Sequence, residues 1–186
     1  MQAVIEACQQ GQLHATPCVV ISNNSRAEAL VKARQAGIPA YHLSAQTHPL
    51  SEELDAVILN VLRRHQVDLI LLAGYLKKLG PKTLQHYKNH VLNIHPALLP
   101  KFGGQGMYGT AVHEAVLAAG EKETGVTIHL VDEEYDHGEI LAQCRVPVQA
   151  GDTVATLSQR VLEREHTFLV EILRRIIEEK IALPHS

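Results

Sequence analysis

The sequence predicts an α/β protein with a doubly wound, mostly parallel sheet. Short apolar runs alternate with amphipathic stretches along the chain, which is the pattern of successive βα units. One run, Asp68–Ala73, is apolar at nearly every position, as expected for a strand in the middle of a parallel sheet. The 186 residues contain neither repeats nor a linker, so we expect one domain over residues 1–186.

Periodicity and turn residues place the elements of the first half. A helix at the start ends before Gly11, a residue type that often follows helices. Ser25 and Glu28 have the spacing of a capping box and predict a helix that ends at Gly37. The predicted order is helix 2–10, strand 17–22, the helix between Ser25 and Gly37, strand 39–43, helix 51–66 and strand 68–73.

The second half continues the alternation and ends in a long helix. Apolar residues recur at helical spacing in its last segment, which core packing explains without a partner protein. The predicted order is a short helix near 81–87, the strand carrying Asn93, a helix at about 109–119, strands at 124–131 and 139–148, and a helix at about 153–181.

Composition argues against several classes of function. A formal net charge of −3 and the lack of a Lys/Arg run give no reason to expect a nucleic acid partner. No apolar segment approaches the roughly 20 residues of a membrane span, and no signal peptide is visible. The cysteines, Cys8, Cys18 and Cys144, are odd in number and widely spaced. We therefore expect a reduced, cytoplasmic protein without a membrane partner.

The strongest candidate for a functional site is the strand end at Asn93 and His95. Period-2 geometry puts these two side chains on one face of the strand, with Ile94 on the other. An amide donor beside a titratable imidazole suits a reaction that develops negative charge on a carbonyl oxygen. Taken alone, a histidine near a strand end is more often structural than catalytic.

Two blocks of sequence carry a resemblance to a known family. The segment Asn93–Pro100 reads Asn-Ile-His-Pro-Ala-Leu-Leu-Pro, and Thr124–Gln143 follows with Asp136 near its middle. Both resemble the signatures of the folate-dependent formyltransferases, above all of those that act on phosphoribosylglycinamide. The resemblance implies a Rossmann-like fold and transfer of a formyl group from 10-formyltetrahydrofolate to the amine of phosphoribosylglycinamide in purine biosynthesis.

The resemblance also implies roles for residues of the two blocks. Asn93 would donate an N–H group to the oxyanion, and a protonated His95 would donate a second hydrogen bond and act as acid. Asp136 would be the third catalytic residue, and its charge would raise the pKa of His95. Thr127 and His129 share a strand face and would support the site; His129 could equally be a hydrogen-bonded core histidine.

Further residues match the family's ligand-binding positions. The segment Gly74–Leu79 follows the central strand, where open α/β sheets place their ligands. It resembles the family's pterin-binding segment, with lysines where Arg and Ile are usual. The folate-binding residues would be Leu76, Lys77, Lys78, Leu79 and Asn93. The substrate-binding residues would be Gly74, Pro96 and Glu165; the last could also be one more solvated charge on a helix.

The N-terminus departs from the family pattern. In the family, a central first strand leads into a loop whose N–H groups bind the substrate phosphate. Here the chain as given begins with a helix, so we expect the first strand and this loop to be missing from it. We also expect a poorly stable chain that binds the ribonucleotide weakly.

Alternatives to this function remain at this point. The related formyltetrahydrofolate deformylase has a histidine where Pro96 stands, and a catalytically silent folate- or nucleotide-binding module would need no reaction at all. His86 and His90 are four residues apart but lack an acidic partner at the spacing of a zinc helix, so we expect no metal. Small molecules are the expected partners, and the resemblance leaves room for a homodimer.

Overall fold

The computed structural model describes residues 1–184 and contains alternating helices and strands in the predicted order. Their bounds are α1 Gln2–Gln9, β1 Val20–Ser22, α2 Glu28–Gln35, β2 Ala40–His42, α3 Ser51–Arg64, β3 Ile70–Leu72, α4 Pro81–His86, β4 Val91–His95, α5 Thr110–Ala118, β5 Glu123–Leu130, β6 Ile140–Pro147 and α6 Val154–Ile177. The α/β class is confirmed.

The strands form two sheets. In the first, β1 and β2 pair in parallel; the second has the order β3-β4-β5-β6. Strands β3 and β4 are parallel, whereas β4 with β5 and β5 with β6 are antiparallel. The parallel pairings thus come first along the chain, and within residues 1–184 no strand pairing joins β1 to β3.

Two local predictions differ from the structure. The capping box at Ser25 and Glu28 is wrong: the second helix starts at Glu28 after Ala27, and no side chain caps it. Asn24 forms the turn instead, because its side-chain oxygen accepts from the Arg26 N–H and its carbonyl from the Ala27 N–H. The strand expected at 68–73 is only Ile70–Leu72, since its described pairing is with β4 alone.

The larger core lies between the four-stranded sheet and α6. Strand β5 is buried from Thr124 to Leu130, and the apolar face of α6 covers it with side chains such as Leu157, Val161 and Ile172. A reciprocal capping box between Thr153 and Thr156 starts this helix. Of the helices in residues 1–184, none is both long and apolar enough to cross a membrane.

Candidate active site

The strand register brings four polar side chains together. Asn93 lies opposite His129, and His95 lies opposite Thr127, across the antiparallel pair β4–β5. Residues that face each other across such a pair have side chains about 5 Å apart on the same side of the sheet. The alternation seen in the sequence thus places both expected supporting residues directly beside the two expected catalytic ones.

Asp136 approaches this group from the loop between β5 and β6. Its carboxylate lies 3.5 Å from His95 Nδ1 and 3.4 Å from His129 Nε2, and it accepts a 2.9 Å hydrogen bond from the Gly104 N–H. Its φ of 56° is in the left-handed region that few non-glycine residues adopt. Both histidines are buried, so the carboxylate lies at the edge of a polar cluster within the core.

The hydrogen bonds fix the ring protons. His95 Nε2 donates to the Phe102 carbonyl at 2.8 Å, because a carbonyl oxygen only accepts. By the same reasoning His129 Nδ1 donates to the Leu130 carbonyl at 2.7 Å. In the neutral ring, His129 Nε2 is then free to accept from Asn93 Nδ2 at 3.1 Å, and Asn93 Nδ2 also donates to Asp136 at 3.3 Å.

The electrostatics correct one expectation about His95. Burial lowers the pKa of His95, and this outweighs the opposing effects of the Asp136 charge and the Phe102 carbonyl. The carboxylate therefore acts in the predicted direction, but the net pKa shift is downward. For Asp136, burial raises the pKa, but the combined effect of His129, His95 and the Gly104 N–H lowers it by more than burial raises it. The carboxylate therefore stays charged.

Thr127 has a structural role in the loop that follows His95. Its hydroxyl donates to the Ala97 carbonyl at 2.6 Å and accepts from the Leu99 N–H at 3.1 Å. Gln143 on β6 donates to this hydroxyl and to the Leu99 carbonyl, both at 2.9 Å. These contacts hold the loop after His95 against β5, so Thr127 fixes the position of the chain that follows His95.

A groove opens beside the cluster. One wall is the segment after β3, with Tyr75, Lys77, Lys78 and Leu79, and the facing wall is the loop carrying Asp136. The other residues that line the groove are Leu72, Asn93, His129, Val131, Asp132, Glu134, Tyr135 and Asp136. Three of the predicted folate residues, Lys77, Lys78 and Leu79, thus line the same groove as Asn93 and Asp136.

His95 and Thr127 lie beside the groove without lining it, and four of the predicted ligand-binding residues also lie outside its lining. Leu76 is 50% exposed and Gly74 is exposed at a φ of 73°. Pro96 is half-buried in the loop after His95. Glu165 lies in α6, where burial raises its pKa and the nearby amino group of Met1 partly offsets that effect. The structure groups Asn93, His95 and Asp136, which are the residues expected to be catalytic, but shows no side-chain hydrogen bond or ion pair between these four residues and them.

The sequence reasoning missed three groups that the structure adds to the site. Gln143 closes the second sequence block and supports Thr127, so its place in that block was a usable signal. Tyr135, which lines the groove, lies in the same block next to Asp136 and had the same signal, whereas the Gly104 N–H, which binds Asp136, had none. Backbone donors and loop contacts depend on the fold rather than on residue type.

Comparisons with known proteins identify the class. The profile of the formyl transferase family matches residues 1–173, and the chain belongs to this family. The chain is 43% identical over 177 residues to a chloroplastic phosphoribosylglycinamide formyltransferase of Arabidopsis thaliana, covering 95% of this chain and 61% of that protein. With phosphoribosylglycinamide formyltransferase of Haemophilus influenzae it shares 37% identity over 98% of this chain and 84% of the relative.

A solved structure agrees in fold. Glycinamide ribonucleotide transformylase 1 from Symbiobacterium toebii superimposes with a TM-score of 0.90 at 36% identity, covering 98% of this chain and 84% of that one. The Rossmann-like formyltransferase fold is therefore confirmed. The chain spans 58% and 61% of the length of the two chloroplastic relatives from Vigna unguiculata and Arabidopsis thaliana.

Proposed function

We propose that this chain transfers a formyl group from 10-formyltetrahydrofolate to the primary amine of 5-phosphoribosylglycinamide. The observation that carries the proposal is the connected set of Asn93, His95 and Asp136 beside a groove of suitable position. The names of the relatives support the choice of donor and acceptor within the formyl transferase family.

The reaction needs two proton movements and one stabilised charge. The amine nitrogen forms a bond to the formyl carbon, the carbonyl oxygen becomes an oxyanion, and the bond from that carbon to N10 of the folate then breaks. The amine loses a proton and N10 gains one. A donor aimed at the oxyanion and an acid–base group within reach of both nitrogens are therefore sufficient.

His95 suits the proton movements in its neutral form. Because burial lowers its pKa, the ring is mostly neutral near pH 7, and because Nε2 carries the ring proton, Nδ1 is the atom that can accept a proton released by the attacking amine. Once protonated, the imidazolium is stabilised by Asp136 Oδ2, 3.5 Å from Nδ1. The same proton can then pass to N10 as it leaves.

Asn93 has to exchange a hydrogen bond before it can act on the oxyanion. Its amide nitrogen donates to His129 and to Asp136 in this structure, which engages the donor group. We propose that the formyl oxygen replaces one of these acceptors when the folate enters the groove. The acceptor that remains, His129 or Asp136, then holds the amide at the correct angle.

The ligand-binding assignments vary in their support. The groove position of Lys77, Lys78 and Leu79 supports contact with the folate. Roles for Leu76 at the folate, and for Gly74, Pro96 and Glu165 at the nucleotide, rest on the resemblance. A catalytic cycle without a metal, a cytoplasmic location and a homodimer also stay predictions.

One experiment separates this function from its alternatives. The purified chain is incubated with 10-formyltetrahydrofolate, with and without phosphoribosylglycinamide, and products are measured by mass spectrometry. We expect the formylated ribonucleotide, formed only when both substrates are present. Formate released at the same rate without the amine would show a deformylase, and folate binding without either product would show a silent binding module.

A further inference from the structure

Lys78 connects the two walls of the groove. It lies in the segment after β3, and its Nζ donates a 2.6 Å hydrogen bond to the carbonyl of Glu133 in the opposite loop. The same ammonium group lies 5.0 Å from the centre of the Tyr135 ring. Both acceptors come within three residues of Asp136, so one side chain bridges the groove next to the catalytic carboxylate.

The two contacts differ in kind and converge on one loop. A carbonyl oxygen and an aromatic face both attract a cation, and the loop offers both to the same ammonium group. The chain separation of 55 residues between Lys78 and Glu133 means that the bridge ties together segments that the sequence leaves independent. A freely solvated lysine would make neither contact with a defined partner.

The loop between β5 and β6, which carries Asp136, lies outside the strand pairing and needs other contacts to keep its position. Asp136 has a strained φ of 56° and depends on its contacts to stay beside His95 and His129. Asp132 braces the loop internally by accepting from the Glu134 N–H and pairing with His137. We call the segment Tyr75–Leu79, which forms one side of the groove, the folate wall. Of the contacts described for residues 133–135, those made by Lys78 are the ones that connect them to the folate wall.

We propose that Lys78 is a positioning residue that sets the width of the groove and holds the Asp136 loop in its reactive place. This inference rests on the proposed formyl transfer, because the effect is read through folate binding and turnover. Lys78 acts through Glu133 and Tyr135, so removal of its charge loosens the folate wall and the catalytic carboxylate together.

The test is a double-mutant cycle on Lys78 and Tyr135. Lys78→Met removes the ammonium group at similar length, Tyr135→Leu removes the ring, and the double variant removes both. Michaelis constants for 10-formyltetrahydrofolate and for phosphoribosylglycinamide are measured separately, with kcat. Lys88→Met serves as the matched control, since it removes one exposed positive charge outside the groove lining.

We expect Lys78→Met to raise the folate KM about fivefold and to lower kcat, with little change in the nucleotide KM. The double variant should be little worse than the worse single variant, because both remove the same bridge. Lys78→Arg should recover most of the loss, since a guanidinium group donates to a carbonyl and stacks on a ring. Lys88→Met should match the unchanged protein.

Several results would overturn the proposal. Additive effects of the two substitutions would mean that Lys78 and Tyr135 act independently, and a lower folate KM in Lys78→Met would mean that the lysine obstructs the groove. Equal rises in both Michaelis constants would indicate general loosening of the fold. If the unchanged chain binds folate but transfers no formyl group, the proposed function fails, while a direct folate-binding titration of the same five variants still tests the bridge.

Discussion

The two sheets of this chain differ in burial, and the residues proposed to be catalytic lie in the more buried one. Every residue of β1 and β2 is half-buried, whereas β5 is buried at seven of its eight positions. In β4 all residues are buried except Asn93. The two middle strands of the four-stranded sheet are therefore buried almost throughout, and the amide proposed to be catalytic is the one residue of β4 that is not.

The smaller sheet packs against α3 and against side chains of β3 and β4, such as Ile70 and Val91. Its side chains join a second apolar cluster with residues of α3, such as Ile58 and Leu62. Strand β2 also carries His42, whose Nε2 is buried without a hydrogen-bond partner in the described residues. Because every residue of β1 and β2 is only half-buried, less apolar area is removed from water there, so we expect this half to be the weaker part of the domain.

The largest expected effect is loss of formyl transfer after substitution in the larger sheet. His95→Ala and Asn93→Ala should each lower kcat/KM by about 10²-fold or more, the usual loss for an acid–base group or an oxyanion donor. His42→Ala removes a histidine from the smaller sheet and should leave the rate unchanged. Turnover is measured below the melting temperature of every variant.

The comparison of the two sheets is supported only if substitution of His95 lowers the rate and substitution of His42 does not. Because His95 is buried and hydrogen-bonded, His95→Gln provides a second variant that fills more of its volume. A rate near that of the unchanged protein in either His95 variant would remove His95 from the mechanism.

A medium effect is expected in the stability of matched apolar truncations. Ile128 on β5 is fully buried and Ile21 on β1 is half-buried. Ile128→Ala should lower the free energy of unfolding by about 2–5 kcal/mol, and Ile21→Ala by roughly half as much. Urea denaturation followed by circular dichroism measures both. Equal losses would contradict the view that the smaller sheet contributes less to the core.

Local patterns in the sequence predicted the elements, while contacts across the fold decided the details. The apolar periodicity of α6 and the alternation of Thr127 and His129 on β5 were sufficient, because both are properties of one segment. The capping box at Ser25 was wrong, since the competing turn at Asn24 has the same type of polar side chain. Spacing alone does not decide between a side-chain cap and such a turn.

The site was predictable in composition and less so in its energetics. The sequence paired Asp136 with His95, but the net pKa shift of His95 depends on how deeply the ring is buried. Likewise, the resemblance predicts that Asn93 donates to the oxyanion, whereas the register of β4 on β5 places His129 as its acceptor in this structure. Burial and register are results of packing, which no single segment encodes.

The smallest expected effect is a pKa shift that separates two carboxylates of one loop. Asp136→Asn should lower the pKa of His95 further, because the amide removes the charge that opposes the effect of burial. Asp132→Asn is the matched control: it should lower the pKa of His137, which Asp132 raises, and leave that of His95 unchanged. NMR titration of the ring protons reads both histidines at once.

The direction of the His95 pKa shift also determines how the free energy of unfolding depends on pH. A histidine whose pKa in the folded chain lies below its ordinary value of 6.5 stabilises the fold above that pH, and this contribution is lost as the pH falls towards the lower pKa. Asp136→Asn should extend that loss to lower pH. A His95 pKa that is unchanged or raised in Asp136→Asn would show that Asp136 acts on the loop alone, and the larger sheet would then owe its function to Asn93 and His95 without the carboxylate.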